Sequence, residues 1–255
     1  MRGEKEEAGT RELFLEDAYL REFDARVLRI AGREVWLERT AFCPGGAGQP
    51  HDKGSLGVGP IEARVVDVQR RDGEIVHVTD NPIPETVGRL VGVLDWERRY
   101  SHMRYHTALH VLCAVLGRDF GVEVTGGKIY ADRARVDFSP PEDRGEWTPE
   151  IADEIERAAN RELAKESPVS VHEPPPDTEE PAHESFASDR PDPVRVVEIP
   201  GTDARLDAGL HVANTEEVGR IRITHHKNRN NRKSFGSKVR ATGTGERVEF
   251  VLEDL

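Results

Sequence analysis

The sequence predicts an α+β fold: a small N-terminal β-barrel, then a two-layer α/β region with an antiparallel sheet and one helix carrying paired histidines. Three observations predict it. Before residue 94 the chain is a series of short Val- and Ile-rich runs separated by turn signals. Residues 101–117, SHMRYHTALHVLCAVLG, repeat apolar side chains near the 3.6-residue period of a helix. Beyond them, further strand-like runs flank a single second helix.

The barrel runs are 26–30 (RVLRI), 34–37 (EVWL), 61–68 (IEARVVDV) and 74–78 (EIVHV). Ala31-Gly32, residues 57–60 and Arg71-Asp72-Gly73 punctuate them, a spacing that small barrels show. Within this region lies a Gly-rich stretch, 42–54 (FCPGGAGQPHDKG). Glycines there permit positive φ and let a ligand approach backbone N–H groups; a plain Gly/Pro-rich loop has the same composition. Gln49 and Asp52 are its candidate polar contacts. A linker at 80–84 and a short strand at 91–93 close this part, giving an expected division into domains 1–94 and 95–255.

The helix of 101–117 is expected to start near Asp95-Trp96-Glu97, and residues 128–130 and 134–138 read as a strand pair after it. Thr148-Pro149-Glu150 opens the second helix: Thr148 suits the N-cap, Pro149 the first helical position, and Glu150 the positive end. Ile151, Ile155, Ala158 and Leu163 form its apolar stripe. Residues 172–193, rich in Pro, Glu, Asp and Ser, read as an exposed, partly disordered insertion whose His172 and His183 are not expected to bind metal. Residues 194–199, 220–224, 238–242 and 247–252 read as strands, the last three as an antiparallel closing set.

Composition narrows the function classes. The 255 residues are 36% hydrophobic, enough for real cores, and no apolar run reaches 18 residues, so no transmembrane helix is expected. The opening MRGEKEEAG lacks the apolar region of a signal peptide. Two cysteines, Cys43 and Cys113, give no disulfide framework; a reducing cytoplasm is the simplest setting. A net charge of −12 argues against a uniformly basic nucleic-acid binder. Between Val218 and Gly245, however, stand eight cations (Arg220, Arg222, Lys227, Arg229, Arg232, Lys233, Lys238, Arg240) and no acid. That segment is either a phosphate-facing patch or a solvated strand pair with basic edges.

His106 and His110 are four residues apart on the expected helix, so both rings leave one face. Two imidazoles so placed can share a zinc ion at about 2 Å. A second motif, Asp207-Ala208-Gly209-Leu210-His211, again sets a possible ligand four residues before a histidine. His106, His110 and His211 supply the three ligands of a catalytic zinc site; Asp207 is a fourth ligand or orients the zinc water. Cys113 falls on the apolar side of the helix and is expected to be buried rather than coordinating. His102 lies about 12 Å from His110 along the axis, too far to share the ion, and is expected to be exposed.

Five segments in order, LFLEDAYLREFDARV from Leu13, RTAFCPGGAGQPHDKGSL from Arg39, HTALH from His106, TGGKIYADRARVDF from Thr125 and HVANTEEVG from His211, resemble the AlaX family of alanyl-tRNA editing proteins. Those proteins are free-standing relatives of the editing domain of alanyl-tRNA synthetase. The long N-terminal part is similar to the medium-length subgroup. The resemblance maps the family's HxxxH onto His106 and His110, and its CxxxH onto Asp207 and His211, with Asp207 in place of cysteine. The family's Gly-Gly-Thr is here Ala208-Gly209-Leu210, and the third glycine of the loop is Ala47. In such proteins that loop lies near the tRNA 3′ end.

What the resemblance implies is hydrolysis, in trans, of the ester joining serine, and possibly glycine as a second substrate, to alanine-specific tRNA at a zinc site. An alanine-selecting pocket cannot strongly reject an isostere that adds a hydroxyl, whereas a site that bonds that hydroxyl can reject alanine. Thr107 is the candidate for this contact, the other reading being a helix threonine bonded to a carbonyl one turn earlier. Gln49 and Asp207 join it in the pocket, and Arg220, Arg222, Lys227, Arg229, Arg232 and Lys233 are the expected tRNA-phosphate contacts. Two other readings are a non-catalytic RNA-binding module with a structural zinc, and a zinc hydrolase of another small ester.

Overall fold

The computed structural model describes residues 9–46, 48–139, 148–174, 195–228 and 245–254. The chain divides into two compact units, Met1–Gly45 with Pro50–Tyr100, and Gly46–Gln49 with Ser101–Leu255.

The first unit holds a closed six-stranded antiparallel barrel. Its strands are β2 (Glu22–Ala31), β3 (Glu34–Leu37), β5 (Gly54–Val58), β6 (Ile61–Arg71), β7 (Glu74–Thr79) and β8 (Arg89–Leu94), in the order β2-β3-β7-β6-β5-β8. Alternation sets what fills it: along β8, Leu90 and Leu94 point inward while Val91 and Val93 stay exposed. β1 (Arg11–Glu12) pairs parallel with β4 (Arg39–Thr40), and the short helix α1 (Leu13–Glu16) follows β1. β5, with Gly54 and Gly57 among its five residues, carries too few β-branched residues to be read as a strand from sequence.

One buried ion pair organises this unit. Arg99 is fully buried; its Nε lies 3.0 Å from each Asp52 carboxylate oxygen and its Nη1 donates to Ala18 O at 2.9 Å. Asp52 also accepts Cys43 N–H at 2.6 Å. Asp52 is therefore spent inside the protein rather than offered to a ligand.

The second unit holds two antiparallel sheets and helix α3 (Pro149–Leu163). β9 (Glu123–Ile129), β10 (Ala134–Ser139), β14 (Arg220–Asn228) and β15 (Glu246–Glu253) form an antiparallel sheet in the order β14-β15-β10-β9. A second antiparallel sheet joins β11 (Ser170–His172), β12 (Arg195–Ile199) and β13 (Asp203–Asp207). Helix α3 (Pro149–Leu163) is tied to β14 by Asn160, whose side chain bonds both N–H and C=O of Ile221 at 2.8 Å. Thr148 occupies the N-cap of α3 with extended backbone but makes no side-chain cap bond; its hydroxyl pairs with the Glu150 side chain instead.

Helix α2 (Trp96–Phe120) buries every side chain from Tyr105 to Cys113. His102 is also fully buried, not exposed. A helix enclosed on more than one side buries polar positions that the apolar stripe alone assigns to solvent. The strand expected at 238–242 and the histidine at 183 lie outside the described residues, and no described helix is long and apolar enough to cross a membrane.

Candidate metal centre

The i,i+4 spacing on α2 sets the rings of His106 and His110 5.4 Å apart, centroid to centroid. His211 stacks against His106 at 4.4 Å and meets His110 edge-on at 4.6 Å. Asp207 ends β13, in register with Arg195 of β12. Its Oδ2 accepts Gly209 N–H at 3.0 Å, which folds the chain so that His211 returns to the same point. Val212 N–H then donates to Thr107 Oγ1 at 3.3 Å, fixing the segment to α2.

One donor atom from each of His106, His110, Asp207 and His211 lies within 4.8 Å of all the others, and all four residues are buried. Asp207 Oδ2 stands 3.3, 3.8 and 3.0 Å from the Nε2 atoms of His106, His110 and His211. A tetrahedral ion with ligands at about 2 Å spaces its donors about 3.3 Å apart, so these residues fit a zinc-sized cation. Cys113 is buried and outside this group; burial pushes its thiol up to about 11.

The opposite ring atoms are held by three different partners. His106 Nδ1 meets Gln49 Oε1 at 3.0 Å, His110 Nδ1 meets Asp203 Oδ2 at 2.9 Å, and His211 Nδ1 meets Thr107 Oγ1 at 3.2 Å. Leu210 N–H also donates to Gln49 Oε1 at 3.1 Å, which fixes the amide's orientation. Gln49 Oε1 and the Asp203 carboxylate can only accept, so both rings carry their proton on Nδ1 and turn a free Nε2 lone pair toward the centre. Thr107, a donor and an acceptor, suits either tautomer of His211.

Charge follows the same layout. Burial holds His106 well below its ordinary value and His211 down to about 4, so both are neutral ligands. Burial alone would raise Asp207, but the surrounding imidazoles outweigh it and keep the carboxylate ionised. For His110, too, burial is outweighed, here by its bonds to Asp203 and Asp207, and its value is raised. A divalent cation takes the state in which His110 too is neutral, so its entry displaces a proton that His110 otherwise shares with the two carboxylates.

Asp203 is the residue that sequence reasoning missed. It is four residues before Asp207 on β13, so strand alternation puts both carboxylates on one face; the DARLD pattern carried that signal. Arg205, also on that face, grips Asp203 through Nε at 2.7 Å and Nη2 at 2.5 Å. Gly209 is required by close approach: a Cβ there would lie 2.0 Å from His106 Cε1.

Of the expected phosphate contacts, Arg220 is exposed and Arg222 is paired with Glu253. Lys227 lies on β14 opposite Arg247, while Arg229, Arg232 and Lys233 lie outside the described residues.

The chain as a whole is similar to known proteins. The family described as the second additional domain of threonyl and alanyl tRNA synthetases matches residues 194–236. The chain is 38% identical over 231 residues to the alanyl-tRNA editing protein AlaX-M of Saccharolobus solfataricus, covering 86% of this chain and 94% of that protein. It is 34% identical over 252 residues to AlaX-M of Methanosarcina barkeri, covering 90% and 99%. It is 39% identical over 222 residues to the alanine–tRNA ligase of Pyrococcus abyssi, of which it spans 24%.

Proposed function

Because the chain belongs to the AlaX-M family of alanyl-tRNA editing proteins, we propose that it hydrolyses the ester of seryl-tRNA(Ala), and of glycyl-tRNA(Ala), with zinc held by His106, His110, His211 and Asp207. The observation that carries the reading is the convergence of three imidazole Nε2 atoms and one carboxylate oxygen on a single point. Zinc, when bound there, supplies a Lewis acid for ester hydrolysis.

The chain's own residues do the rest. Gln49, Asp203 and Thr107 hold the rings in register. When His211 donates from Nδ1, Thr107 Oγ1 accepts from it and from Val212 N–H, leaving the hydroxyl hydrogen for a substrate serine. Alanine offers no partner for that hydrogen, which supports rejection of the correct product. Leu210 adds no hydroxyl of its own to the pocket. Arg220, Arg222, Lys227, Arg229, Arg232 and Lys233 meet tRNA phosphates, a contact that positions without reading bases.

The test is deacylation of seryl-tRNA(Ala) and alanyl-tRNA(Ala) by zinc-loaded and chelator-treated protein. The seryl ester is cleaved by the loaded protein and the alanyl ester is spared. A second reading has one specific observation in its favour: four protein donors fill a tetrahedral ion, as in structural sites. On that reading the protein binds tRNA without cleaving it, and His106→Ala unfolds it; on ours His106→Ala leaves a folded, inactive protein.

A further inference from the structure

We propose that the side-chain amide of Gln49 donates the hydrogen bond that stabilises the carbonyl oxygen of the aminoacyl ester as it gains negative charge. This rests on the deacylase reading above. Gln49 is 4% exposed. It sits on a tight turn in which Gly46 and Gln49 exchange both backbone bonds, at 2.9 and 2.8 Å. Gly48 takes φ +82°, a conformation that favours glycine, and its carbonyl accepts Ile129 N–H of β9 at 3.1 Å. The residue is thus held from its backbone outward.

The amide oxygen is spent: it accepts from Leu210 N–H and from His106 Nδ1. The amide nitrogen is not. Gln49 Nε2 is buried with no hydrogen-bond partner among the described residues. Because Leu210 N–H can only donate to the oxygen, the amide cannot turn over to relieve it. A buried donor left unmade costs free energy and calls for a reason. Here it stands beside the ring that turns its other nitrogen toward the metal centre. A donor-only group suits an acceptor-only atom, and the ester carbonyl oxygen is such an atom.

In the reaction, water oxygen bonds to the carbonyl carbon and the carbonyl oxygen takes up the displaced electron pair. That pair then returns, the bond to the ribose oxygen breaks, and the ribose oxygen takes the proton that water gives up. The products are the free amino acid and tRNA with its terminal hydroxyl restored. Gln49 transfers no proton; it lends an N–H to the oxygen while the charge is there.

Gln49→Glu tests this, because it keeps an acceptor for Leu210 N–H and His106 Nδ1 but removes both N–H donors. We expect bound zinc to stay at the wild-type level and kcat to fall by about 10²–10³, as for loss of one oxyanion donor. The fall is expected equally on seryl-tRNA(Ala) and glycyl-tRNA(Ala), since both carry the carbonyl. An unchanged kcat overturns the proposal. A loss confined to the seryl substrate overturns it as well, and gives the donor to the serine hydroxyl. Loss of zinc in step with activity makes Gln49 a positioning residue for His106 only. If Gln49→Glu does not fold, Gln49→Ala decides: its rate per bound zinc falls by the same factor, or the proposal fails. Wild-type protein that cleaves neither substrate defeats the deacylase reading and this inference with it; active wild type with an active variant defeats this inference alone.

Discussion

The Asp203 carboxylate stands 2.9 Å from His110 Nδ1 and is itself clasped by Arg205 at 2.5 and 2.7 Å. A carboxylate behind a ligand histidine fixes its tautomer and raises its basicity. Asp203→Asn presents an amide to the ring and leaves Arg205 without its partner. Zinc affinity should fall by about 10–100-fold, with far-UV circular dichroism unchanged. Competition against a chromophoric chelator measures it, and wild-type affinity would show that Asp203 does not support the site.

Gly209→Ala should damage the centre through space rather than charge. The new Cβ would lie 2.0 Å from His106 Cε1 and 2.2 Å from Nδ1, so either the ring or the 207–211 segment must move. Overpacking of this kind costs about 1–3 kcal/mol and should lower bound zinc. Gly117→Ala is the control: this glycine is on α2 with nothing within 4 Å, and alanine there should stabilise the helix by about 0.5–1 kcal/mol. Equal unfolding midpoints for the two variants would contradict the close approach.

His77 makes the barrel sensitive to acid. It is fully buried, between Thr40 Oγ1 at 2.7 Å and Val35 O at 3.0 Å, and burial lowers it from 6.5 to about 4. The unfolded chain therefore binds this proton first as pH falls. The stability it contributes is complete above about pH 6.5 and is lost between there and about pH 4, up to about 3 kcal/mol in all. Urea unfolding of wild type and His77→Gln across that range isolates the effect, because the other histidines are common to both. Identical pH dependence in the two proteins would refute it.

How much of this was legible in the sequence differs element by element. Helical spacing exposed the His106–His110 pair, and strand alternation exposed most of the barrel. β5 was missed because Gly54 and Gly57 dilute its β-branched content; pairing with β6 and β8 holds it extended. His102 was misjudged because periodicity reads one face, while α2 is covered on several. Asp203 was invisible as a partner of His110 because they are 93 residues apart. Only the β12–β13 hairpin brings its carboxylate to the ring.

The most direct test of the account is a zinc titration of metal-stripped protein, with bound metal and seryl-tRNA(Ala) deacylation followed in the same samples. Activity should be absent at the start, rise in proportion to bound zinc, and saturate at one ion per chain. Full deacylation by the stripped protein, or stoichiometric zinc binding that restores none, would contradict it.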